Sequence, residues 1–368
     1  MSHRFPNFAL VLACFFVSSF GVFDSAEILF AQMEVDFEVA AITGGDAPGT
    51  EETFELVNFP VINDEGQIAF VATLLSPTEF LAGSGVWSDV SGSIELIAVG
   101  GMQAPGTPAT TFFDANIFDV TSNRHHAFRR IVLNDAGSIA FEAKLQDFEL
   151  EIDTSNDIGV WVCQNGNFEL LIREGDVPPG FPAGIALDFF DSENSQTDFR
   201  FNSFGTIALN TGLSGPGLTV FDRVVACGDE TSLEIIAQDG ESAPGTGDNF
   251  LSVGNPLLND FGEVAFNSIL PAGFSGDQAV FAEFSEVLFP VVVEGDLAPG
   301  VPLGNPRFEG VGGCSFNNAG QQIISGNAVG EDGDDFIFTG GLWLANGSSL
   351  VNVLLDNDPI VSLVDGCL

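Results

Sequence analysis

The 368-residue chain is short of cations and of several reactive side chains. It has no tyrosine, three histidines and nine Lys plus Arg residues against 52 Asp plus Glu, for a net charge of −43. A surface this acidic repels nucleic acid phosphates and anionic lipid head groups, so binding to either through a broad basic face is excluded. Most acids are scattered, which favours a solvated surface; neutralisation by cations such as calcium is the alternative.

Long hydrophobic runs are also missing, with one exception at the start of the chain. Arg4 precedes an apolar run over Phe8–Phe23, and small and polar residues follow it, a layout typical of a secretory signal peptide. We predict cleavage after Ala31, which makes residues 1–31 the signal peptide and residues 32–368 one exported domain. Cleavage at Gly21 or Ala26 and acylation at Cys14 are the alternatives. No later segment holds the ~18 apolar residues that span a membrane, so we expect no membrane insertion after cleavage.

One octapeptide recurs along the chain. NDEGQIAF at 63–70 returns as NDAGSIAF at 134–141, NSFGTIAL at 202–209, NDFGEVAF at 259–266 and, in degenerate form, NNAGQQII at 317–324. Asp64 and Glu65 in the first copy could be metal ligands or catalytic carboxylates, but later copies lose them. Only the Asn and the Gly persist, and a turn requires both, because Asn caps its own backbone and Gly accepts a positive φ. The octapeptide therefore predicts a turn between two strands.

Further elements recur in step with this turn. Each unit continues with a Gly-Val-Trp or similar strand, a tight hairpin turn, an apolar strand such as IELIA at 94–98, and a Gly-x-x-Ala-Pro-Gly loop. Units of four antiparallel strands in tandem are typical of a β-propeller. We therefore predict an all-β protein, a β-propeller of five full four-stranded blades. An apolar segment at 35–43, interpreted as a further strand, leaves open a sixth, incomplete blade.

The Asn-x-x-Gly-x-x-Ala-Phe motif resembles that of tandem-repeat proteins of the choice-of-anchor type, which are exported to bacterial surfaces with varied anchoring tails. The resemblance covers residues 35–355, and four of the five copies fit; the last has Ile323 and Ile324 where Ala-Phe is expected. It implies a cell-surface or secreted protein of uncharacterised activity, with no catalytic residues to carry over. Because the chain ends in SLVDGCL, without an apolar tail or a basic stop, it resembles a freely secreted member or one retained by an unrecognised route.

Four cysteines remain after signal cleavage, namely Cys163, Cys227, Cys314 and Cys367. Export permits disulfides, and counting alone leaves three pairings open. Cys314 enters the last unit and Cys367 is the penultimate residue, so we predict a disulfide between them that fastens the tail. Cys163 and Cys227 are interpreted as equivalent positions of successive blades, which radial repetition holds beyond the ~7 Å Cα separation that a disulfide tolerates.

The few basic residues are the candidate binding groups. Those in the connectors or first strands of the units, together with one histidine, are Arg124, His125, Arg129, Arg130, Arg200 and Arg307. If the first strands line a central channel, these side chains approach one end of it. They would then form an anion-binding mouth, because Arg pairs with carboxylate or sulfate oxygens at two points. The alternative is structural, with the arginines tying connectors to nearby carboxylates.

The acidic run GEDGDD at 330–335 is a candidate cation site. It offers oxygen ligands at Glu331, Asp332, Asp334 and Asp335, with a glycine for tight bending. Calcium could bind here, but the run lacks the ligand spacing and the terminal bidentate Glu of an EF-hand. A solvated hairpin tip is the alternative. No motif requires a cofactor.

No nucleophile elbow, phosphate loop or paired-cysteine motif occurs in the sequence. We therefore expect a secreted, non-enzymatic recognition or structural scaffold, whose partner is an extracellular glycan, a small anion or a surface protein. The alternative is an extracellular propeller enzyme that acts on a polysaccharide or a lactone with a cation bound in its channel. The fold does not choose between them, since propellers host both classes.

Overall fold

The computed structural model describes residues 38–77, 81–115, 127–147, 152–188, 191–192, 195–196, 198–218, 222–229, 231–271, 277–332 and 335–356. Within these ranges the protein contains 24 β-strands and no helix. The strands form successive antiparallel sheets, each built from one continuous stretch of the chain. The predicted signal peptide, residues 1–31, lies outside the described ranges.

The first two sheets each contain four strands in sequence order, which confirms the predicted four-strand unit. Sheet one consists of β1 (Thr53–Ile62), β2 (Ile68–Leu75), β3 (Leu81–Ser88) and β4 (Glu95–Val99). Sheet two consists of β6 (Phe128–Leu133), β7 (Ile139–Asp147), β8 (Ile158–Gln164) and β9 (Asn167–Arg173), with the short β5 (Thr111–Phe113) beside the end of β7. The connector strand β5 was not expected from the sequence.

Three more sheets follow the same order. Sheet three consists of β13 (Asp198–Phe201), β14 (Ile207–Ser214), β15 (Arg223–Gly228) and β16 (Leu233–Gln238), with β10 (Ala186–Asp188) beside the end of β14 and a small hairpin of β11 (Asp191–Ser192) and β12 (Ser195–Gln196). Sheet four consists of β17 (Ser252–Leu258), β18 (Val264–Leu270), β19 (Asp277–Phe284) and β20 (Val287–Val293). Sheet five consists of β21 (Gly304–Phe316), β22 (Gln321–Asp332), β23 (Asp335–Asn346) and β24 (Ser349–Leu355).

The recurring octapeptide forms the turn between the first two strands of each sheet. In sheet one, the Gly66 amide donates to Asn63 O at 3.0 Å and the Gln67 amide donates to Asn63 Oδ1 at 2.9 Å. Gly66 has a φ of 78°, which a residue with a Cβ rarely adopts. The glycines of the other copies also have positive φ, namely Gly137, Gly205, Gly262 and Gly320. The predicted turn is confirmed.

The same Asn side chains join each sheet to the next one. The amide nitrogens of Asn63, Asn134, Asn202 and Asn259 each donate to the backbone oxygen of the Asn in the following turn, at 2.8 to 3.4 Å. These four side chains are only 3–8% exposed. An ionised carboxylate cannot replace the amide, because it accepts hydrogen bonds from its own turn but has no donor for the neighbour.

The sheets pack face to face in sequence order. The Ala and the Phe of the motif point to opposite faces of the strand. Ala140 lies in a buried cluster with Phe201 of sheet three, whereas Phe141 lies in a buried cluster with Val71 of sheet one. Similar clusters join sheets three and four and sheets four and five. Four-stranded antiparallel sheets stacked in this way are the blades of a β-propeller, and the predicted all-β fold is confirmed.

Three of the Gly-x-x-Ala-Pro-Gly loops are held by the tryptophans of the following sheets. The buried indoles of Trp87, Trp161 and Trp343 donate through Nε1 to the backbone oxygens of Pro48, Pro105 and Pro299, at 2.9 to 3.0 Å. A buried indole N–H needs such a partner. A Cβ on Gly159 would lie 2.8 Å from the ring of Trp161, which explains the glycine of the Gly-Val-Trp strand. We call each indole-to-proline contact a Trp–Pro clamp.

The extra strand interpreted at 35–43 is wrong for the described part of that segment. Residues 38–43 form no strand. The chain turns at once instead, since the Gly44 amide donates to Phe54 O at 2.7 Å and the Phe54 amide donates to Gly45 O at 2.9 Å. The start of the described chain is therefore tied to β1.

The interpretation of Cys163 and Cys227 as equivalent positions is also wrong. Cys163 pairs with Ile139, whereas Cys227 pairs with Ala208, which is one position further from the motif Asn. The two side chains therefore point to opposite faces of their sheets. The hairpin after Cys227 is longer than the one after Cys163, which shifts the alignment by one residue. Both thiols are buried and free.

Candidate anion-binding site

A β-bulge in the first strand of sheet two positions one of the candidate arginines. The pairing of β6 with β7 shifts between Arg129 and Ile131, and the intervening Arg130 has a φ of 30°. A bulge of this kind re-aims the side chain of the extra residue. Arg130 lies four residues before the motif Asn134, and Asp198 lies four residues before the corresponding Asn202.

Arg130 and Arg200 meet on Asp198, between the first strands of sheets two and three. Arg130 Nη1 donates to Asp198 Oδ1, and Arg200 Nη1 donates to the same oxygen at 2.6 Å. Arg200 Nη1 also donates to Phe199 O at 2.9 Å, which fixes the guanidinium against its own strand. The side chains of Arg130 and Arg200 are 28% and 38% exposed, and that of Asp198 is 13% exposed. Two guanidinium groups thus share one partly buried carboxylate oxygen.

Arg129 extends this cluster on the other side of the bulge. Its Nη1 lies 3.9 Å from Oε1 of Glu142 on β7, and Glu142 is 2% exposed. The cluster thus contains three arginines and the carboxylates of Asp198 and Glu142. In a chain with nine Lys plus Arg residues, three arginines on two neighbouring first strands are unusual. We refer to Arg129, Arg130, Arg200 and their two carboxylates as the arginine cluster.

Arg307 does not join the arginine cluster. It lies in β21, where its Nη1 donates to Gly295 O at 2.5 Å. It lines a cleft of about 480 Å³ between the Ala-Pro-Gly loop that follows sheet four and the outer hairpin of sheet five. The corresponding cleft between sheets two and three has a volume of about 230 Å³. There, burial raises the pKa of Asp176, and the nearby Arg173 lowers it in part.

The remaining predicted site residues lie partly or wholly outside the described residues. Arg124 and His125 are outside them, so their place relative to the cluster stays a prediction. The calcium and disulfide predictions also depend on what is not described, namely Asp334 and Cys367 and the side chains of Asp332, Asp335 and Cys314. Glu331 is exposed at the end of β22. Across the described ranges, no group of three or more His, Cys, Asp or Glu side chains could hold a metal ion.

Asp198 is the residue of the arginine cluster that the sequence interpretation missed. It is one of 52 acidic residues, so its residue type gave no reason to select it. The available signal was its position, because Asp198 and Arg130 stand at the same offset from the motif Asn in neighbouring units. Side chains at equal offsets on adjacent first strands lie side by side, and opposite charges at such positions predict an ion pair.

The family of the chain follows from its sequence profile. The family model of DUF7453, a family of unknown function, matches residues 15–360 of the chain. The chain belongs to this family. No curated protein matches it. The DUF7453 match covers all five sheets, so the whole propeller lies within the family's region. In the described part of the chain, no helix is long and apolar enough to cross a membrane.

Similar solved structures include propellers and polysaccharide-active enzymes. They include an oligogalacturonate lyase in complex with manganese (9% identity, TM-score 0.38, 79% of this chain and 62% of that chain). Others are the GH74 xyloglucanase from Xanthomonas campestris (10%, 0.31, 79% and 37%) and the β-propeller domain of the Trilobed protease from Pyrococcus furiosus (11%, 0.30, 86% and 100%). The chain thus spans less than two thirds of the first two. With TM-scores below 0.5, these likenesses carry no argument about activity.

Proposed function

We propose that this protein is a secreted, non-enzymatic recognition scaffold that binds an anionic extracellular ligand through Arg130 and Arg200. The observation that carries the proposal is the shared oxygen of Asp198, which both guanidinium groups contact from successive sheets. One carboxylate balances only one of the two charges. The pair therefore keeps a positive charge, and both side chains are exposed enough to contact a ligand. The signal peptide predicted at residues 1–31 supports a location outside the cell or on its surface.

The structure around the pair favours a small anionic group over a polyanion. Arg130 and Arg200 project from β6 and β13, each of which is paired with the second strand of its own sheet, so the sheets hold the backbone under both side chains. The surrounding protein is strongly negative, which repels ligands of high charge density. A single carboxylate or sulfate ester on an otherwise neutral glycan avoids most of this repulsion and can accept two parallel hydrogen bonds from a guanidinium. We therefore propose a glycan that contains uronic acid or sulfate ester groups.

The proposal is tested by calorimetric titration of the mature protein with uronic acid oligosaccharides, sulfated oligosaccharides and neutral oligosaccharides of equal length. We expect binding of an acidic series and none of the neutral one. Arg130→Gln and Arg200→Gln should each weaken that binding about tenfold or more, since each removes a charge-assisted contact. Lys144→Gln is the matched control, because it removes one positive charge from the separate Lys144–Asp157 pair of sheet two, whose atoms are 3.0 Å apart.

Two results would contradict the recognition proposal. If all three variants bind as the wild type does, the arginine cluster only holds sheets two and three together. If an acidic oligosaccharide is shortened, or a lactone is opened, during incubation with the protein and calcium, the protein is an enzyme. Both assays use the same samples, so the two function classes are separated in one experiment.

A further inference from the structure

Every sheet before sheet five is covered by the sheet that follows it. In sheet one, Ala69, Val86 and Ala98 are fully buried in the cluster shared with sheet two. The same positions are buried at the later junctions, as Ala140, Val160 and Ile172 of sheet two, Ala208, Val225 and Ala237 of sheet three, and Ala265, Val280 and Val292 of sheet four. One face of each sheet is thus an apolar contact surface for its successor.

Sheet five has the same face without a successor. Its Trp343 and Ala345 are buried in the cluster with sheet four, so the alternate residues Leu342 and Leu344 point the other way. The strand partners of these two leucines lie on that same side. We call this surface the far face; it consists of Ile323, Phe338, Leu342, Leu344, Val351 and Leu354.

The far face is apolar and open in the described structure. Phe338 is 67% exposed, Val351 is 62% exposed and Leu354 is 45% exposed. Asn317 is exposed, in contrast to the four earlier motif asparagines, and its amide donates to Gln321 Oε1 of its own turn at 3.1 Å. Among the described residues, none of the five buried clusters joins sheet five to sheet one. A repeat array that ends on an apolar face needs a cap.

We infer that residues 357–368 cover the far face. The chain enters this segment at the edge of the same sheet, where the Asp356 amide donates to Gly340 O at 2.8 Å. The segment reads NDPIVSLVDGCL, with apolar residues at Ile360, Val361, Leu363 and Val364. Residues 357–368 are too few to form another four-stranded sheet, because each sheet of the propeller uses a longer stretch of chain. We therefore infer that they cross the far face as a single strap.

The segment is long enough to cross the sheet. From β24 to β21 there are three strand spacings, or about 14 Å. The eleven residue-to-residue steps from Asp356 to Cys367 extend up to about 36 Å. The end of the strap therefore reaches β21, the strand that contains Cys314. The predicted Cys314–Cys367 disulfide requires a segment of at least this reach.

Aspartate substitutions on both surfaces test the inference in the full-length mature protein. Val351→Asp places a charge on the far face, and Val287→Asp is its matched control, because Val287 is also 62% exposed but lies in sheet four. In the strap, Leu363→Asp is compared with Ser362→Asp, which points the other way in an extended segment. We expect Val351→Asp and Leu363→Asp each to lower Tm by about 3–6 °C and to speed proteolysis of the tail, and both controls to shift Tm by about 1 °C or less.

The double variant distinguishes the strap from other occupants. If the strap covers the far face, Val351→Asp has little further effect once Leu363→Asp is present, because the two residues share one contact. The inference is overturned if Val351→Asp behaves like Val287→Asp, or if the two effects add fully. It is also overturned if light scattering shows a wild-type dimer that Val351→Asp dissociates and Leu363→Asp does not. In that case a second copy occupies the far face.

Discussion

Replacing Asn202 by Asp isolates the bond that joins sheet three to sheet four. The Asn202 side chain is 6% exposed and makes three hydrogen bonds. Its Oδ1 accepts from the Phe204 amide at 3.0 Å and from the Thr206 amide at 2.9 Å, and its Nδ2 donates to Asn259 O at 3.0 Å. A carboxylate of the same shape keeps both acceptor contacts. Only the donor to the next sheet is lost.

The expected loss of stability follows from that one contact. A missing hydrogen bond costs about 1 kcal/mol, and a buried carboxylate left facing the Asn259 carbonyl oxygen costs about 1–3 kcal/mol more. Asn202→Asp should therefore lower the free energy of unfolding by about 2–4 kcal/mol. Asn317→Asp is the matched control, because Asn317 is exposed and its amide donates only within its own turn. We expect that control to lose less than about 1 kcal/mol.

Urea unfolding followed by tryptophan fluorescence measures both values. The loss in free energy of unfolding caused by Asn202→Asp should be smaller at acidic pH, because a protonated carboxyl group regains an O–H donor. An equal loss in the two variants, or a loss that does not depend on pH, would refute the idea that the motif Asn is retained for its bond to the next sheet.

Three further outcomes are expected. Gly159→Ala should lower the free energy of unfolding by about 1–3 kcal/mol in urea titrations, because its Cβ would lie 2.8 Å from the ring of Trp161. Burial raises the pKa of Asp239 to about 6, so its contribution to stability is complete below its ordinary pKa and is lost as pH rises through 6. Asp239→Asn should flatten the pH dependence of Tm between pH 4 and 6 and raise stability at pH 7. Peptide mapping without reductant should link Cys314 to Cys367, with the two electrons and two protons passing to a thiol oxidant of the exporting compartment; any other partner for Cys314 would contradict it.

The turns and the sheet order could be predicted because they depend on local sequence. Asn63 and Gly66 specify their turn through hydrogen bonds to residues within four positions along the chain. The other copies of the octapeptide keep the Asn and the Gly three residues apart. The second role of Asn63 could not be predicted in this way. Its amide bonds to Asn134, 71 residues away, and no local pattern reveals which copy lies beside which.

The basic residues of the candidate site could be selected from the sequence, but their arrangement in space could not. Arg130 and Arg200 were selected because basic residues are rare in this chain. Their meeting on Asp198 depends on the bulge at Arg130 and on the register between neighbouring sheets, which are properties of the assembled fold. Arg307 was grouped with them because it also precedes a motif Asn, yet it lies at a different junction.

At three of the five sheets, a Trp–Pro clamp separates a segment of nearly constant length from one of variable length. From the motif Asn to the glycine that ends the next Ala-Pro-Gly loop, the distance is 43 residues for Asn63–Gly106 and 41 for Asn259–Gly300. From that glycine to the next motif Asn, it is 14 residues for Gly49–Asn63 but 28 for Gly106–Asn134. A clamp fixes the loop before the variable segment begins, so changes in length there need not disturb the sheets. The connector after each clamp is accordingly where foreign peptides could be displayed, three at a time, on one rigid frame.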